Sequence, residues 1–406
     1  MSRVETTYAM ARPFAAWGRL AANSIAHTTE HLFGAVVAVV LPLIAASLGL
    51  SMAQAGALVS ARSLMAAAGS MPCGFLADRG RGRHWLVGLC LVLLGMASLG
   101  LSLSASFAAL AVFMAMSGLG GGGFHPPSLA ILSSRYRERR TFAVGVHDSS
   151  GNLGEVIGPL AIGFLLTFLD WRSALQVWAV PGLVVGVAYA LLGAEAAAPA
   201  EGTREYRRVL WNEVLKNRTV LGLVAVSTLR AMGQVALSAF LPLYLSLHLK
   251  LGAGATGFYM SVLFFFAGTA PTFAGWISDR FGRNFLIMLF SLASVFAIAA
   301  VPFLETGWPL AAAFGAIGLV LWALRPVLIT AAMDAAPQSV SGTIVAFIFT
   351  ANAALSFLAP LAAGLVADAR GLPAAVGSIA LFPLLAFGLA AVVFARSRGP
   401  GAGLRS

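Results

Sequence analysis

The chain has 406 residues, of which 59% are hydrophobic and only 10% are charged, and its mean hydropathy is +0.88. Because soluble domains carry roughly 25% charged residues, this composition excludes a soluble protein and indicates that the solvent is lipid. The formal net charge of +11 would suit a nucleic-acid partner only if the basic residues shared one surface, and their placement in separate loops argues against that.

Apolar runs long enough to cross a bilayer, about 20 residues each, recur along almost the whole chain. Runs such as 35–46 and 86–100 do not alternate between apolar and polar residues, which excludes a β-barrel. The predicted spans are 19–46, 53–77, 85–104, 107–132, 142–168, 173–194, 218–248, 255–277, 285–303, 308–332, 341–367 and 373–395. The sequence therefore predicts an all-α membrane protein with twelve transmembrane helices in two six-helix halves.

The one long polar break lies at 196–217 and predicts a cytoplasmic linker between an N-terminal bundle at 1–195 and a C-terminal bundle at 218–406. The first 24 residues lack the short apolar core and cleavage site of a signal peptide. Cys73 and Cys90 fall in or beside spans without metal-ligand spacing, so we expect neither a metal site nor a cofactor.

The basic residues predict the orientation of the chain. Of the 26 Lys and Arg residues, 20 lie in the termini and in the loops on the same side, three lie in the opposite loops and three lie within spans. Because basic residues accumulate on the cytoplasmic side, we expect an inner-membrane protein with both termini in the cytoplasm. We expect the lipid bilayer as its surroundings, no nucleic-acid partner and a monomeric state.

The two halves repeat at an offset of 200 or 201 residues. The matched features include the Leu-Pro-Leu triplets at 41 and 241, the Asp-Arg pairs at 78 and 279, Pro126 with Pro326, Asn152 with Asn352, and Gly163 with Gly364. Since the offset spans six helices, both halves cross the membrane in the same direction, an arrangement that places a substrate site between them near mid-membrane.

Two loop motifs carry a family resemblance. Their residues are Gly74, Asp78, Arg79, Gly82 and Arg83 in the first half, and Gly275, Asp279, Arg280, Gly282 and Arg283 in the second. This pattern resembles the loop between the second and third helices of the major facilitator superfamily. That likeness implies that the motif residues form a conformational latch at the cytoplasmic face.

Within that superfamily, the first half is most similar to the fosmidomycin-resistance group. The shared residues are His27, Gln54 and Gly56, Phe124-His125-Pro126, and Gly151-Asn152 with Gly158-Pro159; the glycines also resemble a motif of drug:proton antiporters. One departure is Glu30-His31, where the group is expected to have Asn-Asp. The resemblance implies proton-coupled efflux of a small solute.

Ionisable or polar residues inside the spans are the candidate site, because a charge in a bilayer costs at least ~2.5–3.5 kcal/mol and usually faces a cavity or a partner. They are His27, Glu30, His31, Arg62, His125, His147, Asp148, Asn152, Glu155, Arg230 and Arg325. We expect the arginines to bind an anionic group of the substrate. We expect the carboxylates and histidines to carry coupling protons.

Helical spacing groups some of these residues. His27, Glu30 and His31 stand at i, i+3 and i+4 and share one helix face. On the fifth helix, Asp148, Asn152 and Glu155 form a polar face, while the glycines at 151, 154 and 158 form a separate face suited to close helix packing.

Other interpretations stay open at this point. Four of these residues could instead have structural roles. Glu30 would neutralise Arg230, and Asp148 would bond His147. His125 would cap the backbone beside Pro126, and Arg62 would be a packing or gating residue. Asp368 and Glu305 are expected to be solvated. The functional alternatives are a proton symporter that imports an organic acid and a non-transporting receptor or scaffold. No enzyme motif or phosphate-binding loop occurs, so we expect no enzyme.

Overall fold

The computed structural model describes residues 3–78, 82–136, 139–192, 215–336 and 341–397, with side chains at 17–77, 82–136, 139, 142–192, 215–336 and 344–395. The described helices are α1 Arg3–Leu48, α2 Met52–Asp78, α3 Arg83–Leu103, α4 Phe107–Arg135, α5 Arg140–Leu165, α6 Trp171–Leu192, α7 Arg218–Leu243, α8 Ala253–Phe281, α9 Arg283–Ala300, α10 Trp308–Asp334, α11 Ser341–Ser356, α12 Leu358–Arg370, α13 Leu372–Ile379 and α14 Leu381–Ser397. No β-strand occurs in these ranges.

The helices confirm the predicted all-α fold with twelve spans. Each predicted span coincides with a helix or a pair of helices; the last two spans are interrupted at Phe357 and Ala380, and α7 ends in a π-helical turn, Tyr244–His248. Within the described ranges, ten helical segments are long and apolar enough to cross a membrane. α2 and α5 are not among these ten segments.

A glycine of each loop motif stands directly before the next helix, Gly82 before α3 and Gly282 before α9. Gly82 has a φ of 73° and Gly282 a φ of 88°. Side chains with a Cβ rarely adopt a positive φ, so glycine suits both positions. The two copies of the motif therefore share a positive φ at this glycine, whereas ψ differs, 19° at Gly82 and 141° at Gly282.

The described chain divides into two compact units, Met1–Val37 with Met65–Ala200 and Ala38–Leu64 with Glu201–Ser406. In the first unit, glycines bring α3 and α6 into backbone contact: a methyl group added at Gly88 would lie 2.6 Å from the carbonyl oxygen of Gly186. The second unit has an apolar core of α7, α8, α9, α10, α11 and α14, which includes the fully buried Val220, Leu286 and Leu328. The predicted domain boundaries stay a prediction, and most of the predicted linker lies outside the described residues.

Candidate functional site

Two helices of the first unit bring four ionisable side chains together. α1 supplies His27, Glu30 and His31, α4 supplies His125, and one ligand-type atom of each lies within 4.8 Å of those of the other three. We call these four residues the histidine cluster. This confirms the prediction that His27, Glu30 and His31 share one face of α1.

The carboxylate of Glu30 is shared between two imidazoles. Its Oε2 lies 3.5 Å from Nε2 of His31 and 3.7 Å from Nε2 of His125. On the other side of its ring, His31 places Nδ1 3.2 Å from Oε1 of Glu155, which extends from α5. Glu30 is 6% exposed and His27 is 4% exposed, so these two side chains are held away from solvent.

His27 is oriented by the backbone of α5. Its Nδ1 lies 2.7 Å from the carbonyl oxygen of His147, and since a carbonyl only accepts, this nitrogen carries the proton. The Nε2 atom of the neutral ring then bears a lone pair, and it is buried without a hydrogen-bond partner among the described residues. The ring of His147 stacks on that of His27 with centroids 3.7 Å apart.

The glycine face of α5 packs on α1, as the prediction of a close helix contact requires. A methyl group added at Gly151 would lie 2.5 Å from Cε1 of His27 and 2.9 Å from Cδ2 of His31. One at Gly158 would lie 3.1 Å from Cβ of Ala35. Because glycine has no side chain, α5 can approach the histidine cluster closely.

In the second unit, two arginines form what we call the arginine pair, Arg230 on α7 and Arg325 on α10. Arg230 is 3% exposed; its Nη1 donates to Oε1 of Gln234 at 2.5 Å, and its buried Nε has no hydrogen-bond partner among the described residues. Arg325 is exposed, lies with Cζ 5.9 Å from the ring centroid of Phe349, and acts electrostatically on Arg230. No described carboxylate of this unit forms a salt bridge with either arginine.

Hydrogen bonds fix α7 against α11 beside this pair. The side chain of Asn352 donates through Nδ2 to Oγ of Ser227 at 3.1 Å, and its Oδ1 accepts from Oγ1 of Thr228 at 3.1 Å. Phe349 lies one turn before Asn352 on α11, so the same joint positions the ring that Arg325 approaches. Sequence reasoning identified Asn352 only as a repeat of Asn152.

The other predicted site residues lie on α2 and α5, outside the histidine cluster and the arginine pair. Arg62 is half-buried on α2, in the part that belongs to the second unit. Asp148 is exposed on α5 and Asn152 is half-buried one turn later. Their roles in binding or proton transfer stay predictions.

The loop motifs make contacts that are equivalent in the two units. Nε of Arg83 donates to the carbonyl oxygen of Ala77 at 2.8 Å and its Nη1 to Oγ of Ser134 at 3.3 Å. Arg283 forms a salt bridge with Asp334, which lies 200 residues after Ser134. Gly74 lies on α2, and Gly275, Asp279 and Arg280 lie on α8. The predicted roles of Asp78 and Arg79 fall on side chains outside the described residues, so the latch stays a prediction.

One residue that the sequence analysis left in solvent has a specific contact. The carboxylate of Asp368 is exposed, yet it accepts hydrogen bonds from the backbone N–H groups of Met52 at 2.7 Å and Ala53 at 2.9 Å. It therefore caps α2 from the end of α12. No local signal in the sequence marks this contact, because the partners are 316 and 315 residues apart.

Comparisons with known proteins agree with this architecture. A family profile described as the Major Facilitator Superfamily matches residues 24–360. The probable hexose phosphate transport protein of Chlamydia pneumoniae is 24% identical over 76% of this chain and 75% of its own. The fosmidomycin resistance protein of Escherichia coli K12 is 21% identical over 91% of both chains. The crystal structure of a bacterial homologue of the human lysosomal transporter Spinster has a TM-score of 0.79 at 19% identity and covers 95% of this chain and 99% of its own.

Proposed function

The chain belongs to the Major Facilitator Superfamily, and we propose that it exports a small anionic solute by alternating access, driven by the proton gradient. That it is a multi-pass membrane transporter and not an enzyme follows from its family and its helices. The solute class, the direction and the driving ion are the content of the proposal.

The observation that carries the anionic solute is the state of Arg230. A guanidinium group inside a span costs at least ~2.5–3.5 kcal/mol on insertion scales, and such residues usually pair with a counter-charge. Arg230 is buried and has no described carboxylate partner within its unit, while Arg325 adds a second positive charge. An anionic group of the solute would supply a counter-charge, and the fork of the guanidinium suits a phosphate or carboxylate.

The relatives support the chemistry and the direction separately. One is named for the transport of hexose phosphate, which is an anion, and this favours an anionic solute. The other is named for resistance to fosmidomycin, and resistance favours export. Because the basic loops predict cytoplasmic termini, we place the protein in the inner membrane with the loop motifs on the cytoplasmic side.

A binding experiment tests the arginine assignment. We expect glucose 6-phosphate, and not glucose, to raise the thermal unfolding temperature of the purified protein, because only a ligand bound to the folded state stabilises it. Loss of a charged hydrogen-bond partner costs about 1.5–3 kcal/mol, so Arg230→Gln should weaken binding by roughly 10- to 100-fold. Lys250→Gln, which removes a positive charge from an exposed loop, is the matched control. Equal shifts in both variants would reject the anion site.

A transport experiment tests the direction and the driving ion. Proteoliposomes are either loaded with labelled glucose 6-phosphate or supplied with it outside, and an outside-acid gradient is then imposed. Exchange of protons for solute predicts faster loss of internal label, whereas an uptake symporter predicts accumulation of external label. A rate that is independent of the gradient would show that protons do not drive the transport.

A further inference from the structure

The histidine cluster has the composition of a transition-metal site. It combines three imidazoles with one carboxylate, and imidazole ligands suit zinc, copper, iron and nickel, whereas magnesium and calcium prefer oxygen ligands throughout. We propose that His27, Glu30, His31 and His125 bind one divalent first-row transition-metal ion, for which zinc is the reference probe. The site uses none of the arginine pair and does not depend on the anionic solute.

The distances within the cluster fit an ion better than direct hydrogen bonds. Two ligand atoms about 2.1 Å from zinc, at the tetrahedral angle, lie about 3.4 Å from each other. Oε2 of Glu30 lies 3.5 Å and 3.7 Å from the two Nε2 atoms, beyond the usual 2.7–3.2 Å of a hydrogen bond. All four donors lie within 4.8 Å, so closing them around an ion requires side-chain shifts of about 1 Å.

Two of the histidines also have the supporting contacts that metal ligands have. A ligating histidine commonly donates its other ring N–H to a backbone carbonyl or a carboxylate, which fixes its tautomer and orientation. Nδ1 of His27 contacts the carbonyl oxygen of His147, and Nδ1 of His31 contacts Glu155. The buried and otherwise unpartnered Nε2 of His27 is then available to an ion.

Two carboxylates lie beside the proposed occupant. A divalent ion held by Glu30, with Glu155 behind His31, would place positive charge next to both groups. The proposal assigns the four residues to a metal ion in place of the proton-carrying role predicted from the sequence.

The test uses purified full-length protein without a polyhistidine tag, in detergent and after treatment with a chelator. We expect isothermal titration with Zn²⁺ to give one equivalent per chain, and Co²⁺ to develop the visible absorption of a nitrogen-ligated ion. Glu30→Gln and His31→Gln should abolish or greatly weaken binding, and Glu155→Gln should weaken it by about 10- to 100-fold.

The chain offers a matched control. His84 and His248 are the two of its six histidines that lie outside this region, and the double variant His84→Gln/His248→Gln should bind Zn²⁺ as the wild type does. Absence of stoichiometric binding by folded wild-type protein overturns the proposal. Binding that persists in Glu30→Gln, or that is lost in the control, also overturns it.

A second measurement needs no variant and covers the case in which cluster variants fail to fold. Zn²⁺ should protect the partly exposed His31 and His125 from modification by diethyl pyrocarbonate, while His248 stays reactive. Equal reactivity with and without Zn²⁺ would reject the site. The shift in unfolding temperature with glucose 6-phosphate, measured on the same protein, separates this failure from failure of the anion proposal.

Discussion

Replacing Asp368 with alanine removes two hydrogen-bond acceptors from the first turn of α2, and the structure predicts how large and how local the effect is. The carboxylate accepts from the N–H groups of Met52 and Ala53, and loss of such a cap typically costs 0.5–2 kcal/mol. Because Asp368 is exposed and solvent screens its charge, we take about 1 kcal/mol. That free energy corresponds to an equilibrium constant for local opening of the first turn that is about fivefold larger.

The effect is expected to stay local because glycines hold the same two helices together by backbone contact. A methyl group added at Gly56 would lie 2.9 Å from the carbonyl carbon of Pro360, and one at Gly364 would lie 2.7 Å from Cα of Ala53. Ser60 adds a hydrogen bond to the carbonyl oxygen of Phe357 at 2.5 Å. These contacts do not involve the carboxylate and remain in the variant.

Hydrogen–deuterium exchange with mass spectrometry measures this prediction directly. Peptides that cover 50–58 should exchange about fivefold faster in Asp368→Ala, with a smaller change in Asp368→Asn, which keeps one acceptor. Glu305→Ala removes another exposed acidic residue and serves as the control. Unchanged exchange at 52 and 53, or faster exchange that extends to α3, would refute the capping argument.

Two further predictions concern the first unit. Gly151→Ala should destabilise the protein by about 1–3 kcal/mol and weaken Zn²⁺ binding, because the new methyl group meets the ring of His27. The control is Gly145→Ala on the same helix, where the methyl group meets nothing within 4 Å and should raise the unfolding temperature slightly. Equal effects of the two substitutions would contradict the packing of α5 on α1. Hydrogen bonds from Ser173 hold the pKa of the Asp170 carboxyl below its ordinary value, so its stabilising effect is present above about pH 3.9 and is lost as the pH falls through the folded pKa. The difference in unfolding temperature between wild type and Asp170→Asn should therefore close on acidification, and a difference independent of pH would disprove it.

Local patterns along the chain predicted what one helix determines by itself. Apolar runs located the spans, and the spacing of His27, Glu30 and His31 placed them on one face. The spacing could not show that His125 and Glu155 meet this face, because those contacts depend on how α4 and α5 pack on α1. The expectation of no metal site considered only ligands near each other in sequence, and it stays a prediction that the proposed zinc experiment tests.

Contacts between distant segments account for the other omissions. The resemblance of the loop motifs implied a latch, but the side-chain partners of Arg83 and Arg283 lie on α4 and α10 and cannot be predicted from the motif. Asp368 was expected to be solvated, and its exposure agrees with this; its cap on α2 needed the packing of α12 to be known. An arginine within a span was predictable at Arg230 from hydropathy. That no described carboxylate of its unit forms a salt bridge with it was not predictable.

The polarity of α5 has a consequence for biogenesis. A charged residue at the centre of a helix opposes its insertion by about 2.5–3.5 kcal/mol, and α5 carries both Asp148 and Glu155. By its own composition, α5 is therefore a poor substrate for release from the translocon into lipid. Its glycines and Glu155 contact α1, which is synthesised earlier, so we expect α1 to act as the intramolecular partner that retains α5 in the bilayer. Truncation of α1 should leave nascent α5 exposed to glycosylation or protease in an insertion assay.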